Sequence, residues 1–370
     1  MTRFFCILLM AIFSVVSMPL RAADEASDES SKKIDAKEII FEHLGDGYGW
    51  EVPFNHHVRI PLPILVWGTD GFHCFSSARV EHGKEYRDGN AVFKIAGKDS
   101  PYKGKVVEIV DGREVKPLDI SITKNVLALF ITVFLVAGIM LWLAAFHRRN
   151  QQSKAPRKGL GGVEAVVEFI YGGVIKSTLG PQAPRFAPYL LSVFFFILVM
   201  NLLGLIVVFP GGANLTGNIA VTLVLAVFTF LMTNLLANKH YWKEIFWPDV
   251  PLWLKFPIPI MQIIEVFGVF TKPAALTVRL FANMMGGHMI VIVLTLLIFI
   301  FAAMSPAIGA ATSVVSIIFS VFMLGIDVLV SFIQAYVFTM LSTIFISLAQ
   351  EHEHKKEEKD HKEATPAVAK

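Results

Sequence analysis

Arg279 is a permanently charged residue inside a long apolar stretch, and this position suggests ion transport. It lies in the segment TVRLFANMMGG, and from Met289 to Ile326 the chain has no charged residue and no histidine. Arginine keeps its proton in proteins, and insertion scales put its cost at mid-bilayer at about 2.5–3.5 kcal/mol. Arginines that persist there face a partner charge or a water-filled path. We therefore expect a membrane protein that moves ions.

Three charged residues share one face of the helix expected around Arg279. Glu265, Lys272 and Arg279 are seven residues apart, and seven residues bring an α-helix to within about 20° of the same direction. Asn283 follows Arg279 by four residues, near the same face. This stripe fits an aqueous ion path. It also fits a set of ion pairs that packs the helix against a neighbour.

A second polar group combines His288 on this helix with two residues of the next helix. His288 follows Arg279 by nine residues, half a turn out of phase, so it points to a different side. Asp327 and Gln334 are seven residues apart and share a face. An aspartate within lipid is protonated or paired, and a histidine that titrates near neutral pH is a suitable proton-relay partner. A purely structural hydrogen bond between His288 and Asp327 is the alternative.

A fixed cation surrounded by titratable groups favours two offset half-paths over a straight pore. The guanidinium of Arg279 repels protons and cations at its own position and attracts a carboxylate on another chain. An ion can then pass only by way of that second carboxylate. The polar residues therefore predict ion transfer together with a partner subunit.

The composition is typical of a polytopic membrane protein. The chain has 370 residues, is 54% hydrophobic with 31 Phe, and has a formal net charge of +3. Its apolar residues occur in blocks long enough to span a bilayer, which needs about 20 residues per helix. No G-x-x-x-x-G-K-[ST] loop is present, so a P-loop nucleotide site is excluded. The sequence predicts no cofactor, no metal site and no nucleic-acid partner.

The N-terminal third has the features of an exported segment. Residues 1–22 resemble a secretory signal, with an uncleaved anchor as the alternative, and residues 24–34 form a charged lead expected to be disordered. Residues 23–120 are interpreted as an extracytoplasmic module. Its strand-like pieces are Val58–Trp67, Ala91–Ile95 and Lys105–Val110. Cys6 would leave with the signal, so Cys74 has no disulfide partner and is expected to be a buried structural thiol or, alternatively, a reactive one.

Residues 121–350 form the expected membrane domain. The fold class is an all-α polytopic membrane protein with five membrane-embedded helices, a surface amphipathic helix and the small β-containing N-terminal module. The expected spans are 125–146, 186–209, 216–238, 260–303 and 308–350, with the surface helix at 162–177. The last two exceed the length of a perpendicular span, so strong tilt or a bend at Pro273 or Gly286–Gly287 is expected. Residues 351–370 are expected to be a disordered charged tail.

Basic residues set the expected orientation. The cluster His147-Arg148-Arg149 follows the first span, and Lys239, His240 and Lys243 follow the third. Because cytoplasmic loops are enriched in Lys and Arg, both clusters are predicted inside. The N-terminus is then outside and the C-terminus cytoplasmic.

Four segments together resemble subunit a of the bacterial F-type ATP synthase over about residues 117–350. They are KPAALTVRLFANMMGG, IQAYVFTMLSTIFISLA, ISITKN before the first span, and EIIFEHLGD near residue 40. The first two blocks at this separation are highly specific. The resemblance implies a non-catalytic stator channel in a bacterial inner membrane, two long helices against the c-ring, and as partners that ring, the b-subunit stalk and the remaining synthase subunits.

The resemblance also implies roles for individual residues. Arg279 matches the essential arginine that faces the c-ring carboxylate, Asn283 the asparagine one turn on, and Gln334 the glutamine beside that arginine. Glu265 matches a polar half-channel carboxylate. His288 and Asp327 match a pair that is glutamate then histidine in enterobacterial members, and the reversed order here supports their action as a unit.

Two departures and two competing classes remain open at the level of sequence. Gly204 stands where some members carry an aspartate near the outer half-channel, and the module at about 52–116 has no counterpart in short members. A secondary ion-coupled transporter is the alternative function, although the two halves of the chain do not match as such folds commonly do. A membrane-anchored receptor or assembly factor would have no need for a buried Arg279.

Overall fold

The fold consists of a β-rich module followed by a mostly helical region. The computed structural model describes residues 45–52, 55–80, 84–97, 100–110, 112–150, 159–206, 212–246 and 260–363. The expected signal at 1–22, the charged lead at 24–34 and the last residues of the tail lie outside this part of the chain. The prolines between Trp247 and Ile260 lie outside it as well.

Nine short strands form the module within the described residues. They are β1 (Gly49–Val52), β2 (Asn55–Pro61), β3 (Pro63–Gly68), β4 (Gly71–Ser76), β5 (Tyr86–Asp88), β6 (Ala91–Ile95), β7 (Val106–Val110), β8 (Arg113–Val115) and β9 (Leu118–Asp119). They pair antiparallel as a β1–β2 hairpin, a three-stranded sheet in the order β4–β3–β9, and a four-stranded sheet in the order β5–β6–β7–β8. All three strand-like pieces seen in the sequence are confirmed.

The module core lies between the three- and four-stranded sheets. Ile64 and Val66 of β3 point inward and are fully buried, whereas the residues between them point outward. Phe75 of β4 packs on Phe93 of β6 with ring centroids 5.3 Å apart. Cys74, next to Phe75, therefore points outward and is exposed. The expectation of a buried thiol was wrong, because strand alternation places Phe75 and not Cys74 in the core.

The module is fastened to the first long helix by hydrogen bonds and packing. Tyr48 donates to the Asp119 carboxylate and accepts from the Val106 backbone N–H, and its burial and the charge of Asp119 raise its pKa. The Lys124 backbone N–H donates to the Gly47 carbonyl at 2.9 Å. Trp50 is buried in a cluster with helix residues beyond the module.

Seven numbered helices follow the module in the described residues. They are α1 (Lys124–Asn150), α2 (Gly159–Ile170), α3 (Ala183–Leu205), α4 (Ile219–Leu235), α5 (Lys239–Phe246), α6 (Ile260–Met304) and α7 (Pro306–Glu363). Four helical segments are long and apolar enough to cross a membrane: Lys124–Arg149, Gly159–Leu205, Gln262–Ala302 and Ala311–Gln350. A shorter apolar helix spans Ile219–Leu235. The four long segments overlap four of the expected spans, and α4 overlaps the span expected at 216–238 but is shorter, so the count of five spans stays a prediction.

The expected surface helix is continuous with the second membrane helix. α2 leads through a π-helical segment, Tyr171–Lys176, and a helical turn, Ser177–Leu179, into α3. Gly180, with φ of 54°, changes the chain direction. It is also the first residue of the short 3₁₀ segment Gly180–Gln182. His147 at the end of α1 pairs with Glu164 of α2 at 3.1 Å. Glu164, a charged residue of the expected surface helix, therefore holds α2 against the end of α1.

α6 is about as long as expected, and α7 is longer than expected. α6 contains 45 residues and continues through Pro273 and Gly286–Gly287 without interruption. α7 contains 58 residues and reaches Glu363, whereas a disordered tail was expected from residue 351.

The helical core lies where α3, α6 and α7 meet. Phe194 of α3, Leu280 of α6 and Ala335 of α7 are fully or almost fully buried within it. At one end of the helices, the Asn238 backbone N–H donates to the Ala349 carbonyl at 3.1 Å. Ser347 donates to the Thr178 carbonyl at 3.2 Å. These contacts hold α7 against the chain that follows α4 and against the helical turn that precedes α3.

Candidate functional site

Arg279 lies on the outward face of α6. Leu276, Leu280 and Met284, spaced by four residues, are buried against the other helices. Arg279 and Asn283 lie beside this buried row, at its edge, and are exposed. Within the described part of the chain, Arg279 has no ion-pair or hydrogen-bond partner. The guanidinium is therefore presented to whatever lies beside α6, and its own chain does not neutralise it.

Glu265 and Lys272 form the first half of the charged stripe and are half-buried. The Lys272 ammonium lies 5.5 Å from the centre of the Phe345 ring of α7. Lys272 also lines a small pocket together with Asn234 and Tyr241. Burial and, second, the charge of Glu265 raise the pKa of Tyr241 on α5, so this carboxylate acts on the same region. These polar groups gather near the end of the helices where α5 begins.

His288 faces inward, as its phase relative to Arg279 predicts. Its Nε2 atom is buried and has no hydrogen-bond partner among the described residues. A β-carbon added to Gly204 of α3 would lie 3.7 Å from that Nε2 and 3.5 Å from the Ala213 carbonyl. Gly204 thus lies directly beside the imidazole.

Asp327 is buried on α7 and packs against the backbone next to His288. Its side chain is 8% exposed, and a β-carbon on Gly287 would lie 2.5 Å from its Oδ1. Ser331 donates to the Asp327 backbone carbonyl at 2.7 Å. No hydrogen bond joins Asp327 to His288 within the described residues. The structure brings the two residues into one region, and their pairing stays a prediction.

Gln334 is buried on the same helix as Asp327, one heptad further on. Gln334 is 8% exposed. Its neighbours on α7 are buried too: Ser331 and Ala335 fully, and Phe338 almost fully. Both Asp327 and Gln334 point into the helix packing, which confirms that they share a face. Gln334 is thus positioned by the same α7 surface that packs against α3 and α6.

Asn201 is a polar residue of this region that the charge pattern of the sequence does not reveal. It lies on α3, fully buried, three residues before Gly204, and neither polar atom of its amide has a partner among the described residues. Buried amides are normally hydrogen-bonded. The sequence offers only a weak signal, because Asn201 is one of five asparagines in the 53 residues from Phe186 to Asn238, which contain no charge and no histidine. No group of three His, Cys, Asp or Glu side chains in the described residues is arranged to hold a metal.

Two adjacent glycines of α6 give a matched test of the Asp327 environment. Gly287→Ala places a methyl group where the Asp327 carboxylate lies, and misplacement of a reacting group by about 1 Å can cost about 100-fold in rate. We expect at least a tenfold loss of ion flux, about 1.4 kcal/mol. The measurement is ion pumping in vesicles that contain the protein.

Gly286→Ala serves as the control for this prediction. A β-carbon on Gly286 meets no atom within 4 Å, and alanine stabilises a helix interior by about 1 kcal/mol relative to glycine. Pumping by this variant should be normal. Equal activity of the two variants would show that contact with Asp327 does not matter.

Fold and site together define a class of protein. Apolar helices long enough to span a bilayer carry Arg279, exposed and without a partner among the described residues, and on separate helices a histidine with a buried Nε2 and a buried aspartate. Charged groups of this kind within membrane helices mark ion paths. The molecule is therefore a multi-pass membrane protein built for ion translocation.

Comparison with known proteins identifies the family. Residues 127–347 match the ATP synthase A chain family, and residues 39–123 match a domain of unknown function. The chain is similar to ATP synthase subunit a of Chlorobium phaeobacteroides DSM 266, with 40% identity over 308 residues, 79% of this chain and 84% of that protein. It is also similar to subunit a of Myxococcus xanthus, with 40% identity over 68% of this chain and 80% of that protein. The chain belongs to the ATP synthase A chain family, the non-catalytic proton-channel subunits of F-type ATP synthases.

Proposed function

We propose that this subunit provides two offset half-channels that carry protons to and from a carboxylate of the c-ring, with Arg279 between them. The observation that carries the proposal is the exposure of Arg279, unpaired, on the outward face of α6. A fixed positive charge at that place attracts an acidic group on a neighbouring chain and repels free protons. It therefore separates the two paths.

The other polar residues support one half-channel at each end of the helices. His288 lies beside Gly204 and the Ala213 carbonyl, near the loop residue Leu215 that packs with Trp50 of the module. Asp327 and Asn201 belong to the same region. Glu265 and Lys272 lie instead near Tyr241 of α5. In this arrangement Asn283 and Gln334 border the transfer step next to Arg279.

The proposed topology has five spans, with the module outside and the α4–α5 turn inside. The basic residues at the end of α1 and the start of α5 favour this orientation. Trp50 of the module packs on Ala128, near the opposite end of α1 from His147-Arg148-Arg149. The long α6 and α7 are then strongly tilted against the ring. The b-subunit stalk and the remaining synthase subunits are the further partners that the family implies.

The test places a photo-cross-linking amino acid at Asn283 in the intact complex. We expect cross-links to the c-subunit, because Asn283 lies on the outward face one turn from Arg279. The same amino acid at Phe134, which is 74% exposed on α1, is the matched control and should give lipid adducts but no c-subunit. A chain that purifies without a c-ring, or c-subunit adducts from Phe134 only, would contradict the proposal and favour an independent transporter.

A further inference from the structure

The outward face of the β4–β3–β9 sheet is apolar and exposed. Its residues, named here the outer apolar face, are Leu65, Trp67, Phe72, Cys74, Leu118 and Ile120. The register places Trp67 directly opposite both Phe72 and Leu118, and Leu65 opposite Cys74. Trp67, Phe72, Leu118 and Ile120 are between 56% and 65% exposed. Four large apolar side chains on one side of one sheet form a patch that soluble surfaces rarely present.

The outer apolar face carries no charged side chain. Asp119, between Leu118 and Ile120, points the other way, since its carboxylate accepts from Tyr48 and from the Ser121 backbone N–H. The only strong hydrogen-bond donor on the face is the Trp67 indole N–H. A protein-binding surface usually contributes about one hydrogen bond per 100–200 Å² and has a polar rim. This composition favours a lipid surface over a protein partner.

The chain keeps the outer apolar face close to a membrane helix. Ile120 precedes the first residue of α1 by four positions, and four extended residues reach at most about 14 Å. The Ile120 backbone N–H donates to the Leu65 carbonyl, and that of Lys124 donates to the Gly47 carbonyl, both at 2.9 Å. Trp50 adds packing against Ala128 of α1 and Met200 of α3. The module is thus held at the end of the membrane helices.

The apolar surface continues from the module into the spanning helix. Val126 and Phe130 in the first turns of α1 are exposed, and on a helix that spans a bilayer such side chains face lipid. Tryptophan is enriched at the boundary between membrane and water, where its ring lies among apolar groups and its N–H meets headgroups. We propose that the outer apolar face lies in this boundary and anchors the module to the bilayer surface, as a second membrane contact beside the spanning helices.

A fluorescent reporter at Cys74 tests this contact in the full-length chain. Cys6→Ser leaves Cys74 as the single thiol, which is labelled with the polarity-sensitive dye NBD before reconstitution into phosphatidylcholine vesicles. Interfacial apolar faces sink roughly 5–10 Å into the headgroup–acyl boundary, so a shallow nitroxide lipid should quench the dye about twofold or more. The emission should also be blue-shifted relative to that in water.

The matched control moves the dye to the other sheet. Arg87 on β5 is exposed, so the Cys74→Ser, Arg87→Cys variant should emit as in water and be quenched by aqueous iodide. Water-like emission from Cys74, equal to that from position 87, would overturn the proposal. Blue-shifted emission without quenching by nitroxide lipid would also overturn it, because protein would then cover the face.

A second measurement avoids any change to the module. Phosphatidylcholine with a diazirine close to its headgroup is photolysed around the unlabelled full-length chain, and the adducts are mapped by mass spectrometry. We expect adducts at Trp67 and Phe72 as well as on α1. Adducts on α1 alone would reject the anchor.

Discussion

Arg279→Ala is expected to lower ATP synthesis by at least about 100-fold. At an effective dielectric constant of about 20, two unit charges about 4 Å apart repel each other by about 4 kcal/mol, and at about 1.4 kcal/mol per tenfold this exceeds 100-fold in rate. Without the charge, the two half-channels communicate and the c-ring carboxylate loses its counter-charge. The measurement is ATP synthesis in vesicles under an imposed proton gradient, with ATP-driven pumping in the same preparation.

Val278→Ala is the control for the loss of a side chain on this part of α6. Val278 precedes Arg279 and is 57% exposed, so its truncation changes exposed area but no charge. This variant should synthesise ATP at nearly the normal rate. Normal pumping by Arg279→Ala, in a complex that retains its c-ring, would reject the role of the guanidinium as the barrier between the half-channels.

The sequence predicts most of the helical architecture because the bilayer restricts the possible structures. A span must be helical and apolar, so long, mostly apolar blocks locate α1, α3, α4, α6 and α7. Helical phase then separates the outward Arg279 from the inward His288, and the structure confirms both directions. The regular spacing of Asp327 and Gln334 likewise predicts their shared buried face.

The features that the sequence did not reveal depend on contacts between elements. Gly287 and Asp327 are 40 positions apart, and only the packing of α6 on α7 shows that a glycine is needed beside that carboxylate. Cys74 was expected inside because a lone thiol is usually buried, but its exposure is set by which face of β3 and β4 meets the second sheet. Composition favours disorder for the residues after 350, and the helical form of α7 up to Glu363 was not expected from it.

Exchange of the acid and the base at positions 288 and 327 is expected to restore function that each single change removes. His288→Glu places two carboxylates in one region and Asp327→His places two imidazoles there, so each single variant introduces a repulsion between like charges that the original pair does not have. Loss of general acid–base transfer costs about 10²–10⁴-fold. The double variant reverses the order while keeping one acid and one base, and we expect it to exceed either single variant by about tenfold or more, a coupling of roughly 1.4 kcal/mol.

The alanine variants at these positions give the complementary result and distinguish a relay from a structural contact. If His288 and Asp327 act as one unit, the double alanine variant should be about as impaired in proton flux as the worse single variant, and all three should assemble with the c-ring in normal amounts. A structural hydrogen bond would instead reduce assembly, and the exchanged pair would not recover flux.

Recovery of flux in the exchanged double variant is the decisive measurement. Two slow steps in series also give less than multiplicative losses, but they do not benefit from an exchange of side chains. Within the described residues no hydrogen bond joins the two side chains, and Nε2 of His288 is buried without a partner. This nitrogen is therefore not committed to a structural hydrogen bond, which a relay role requires.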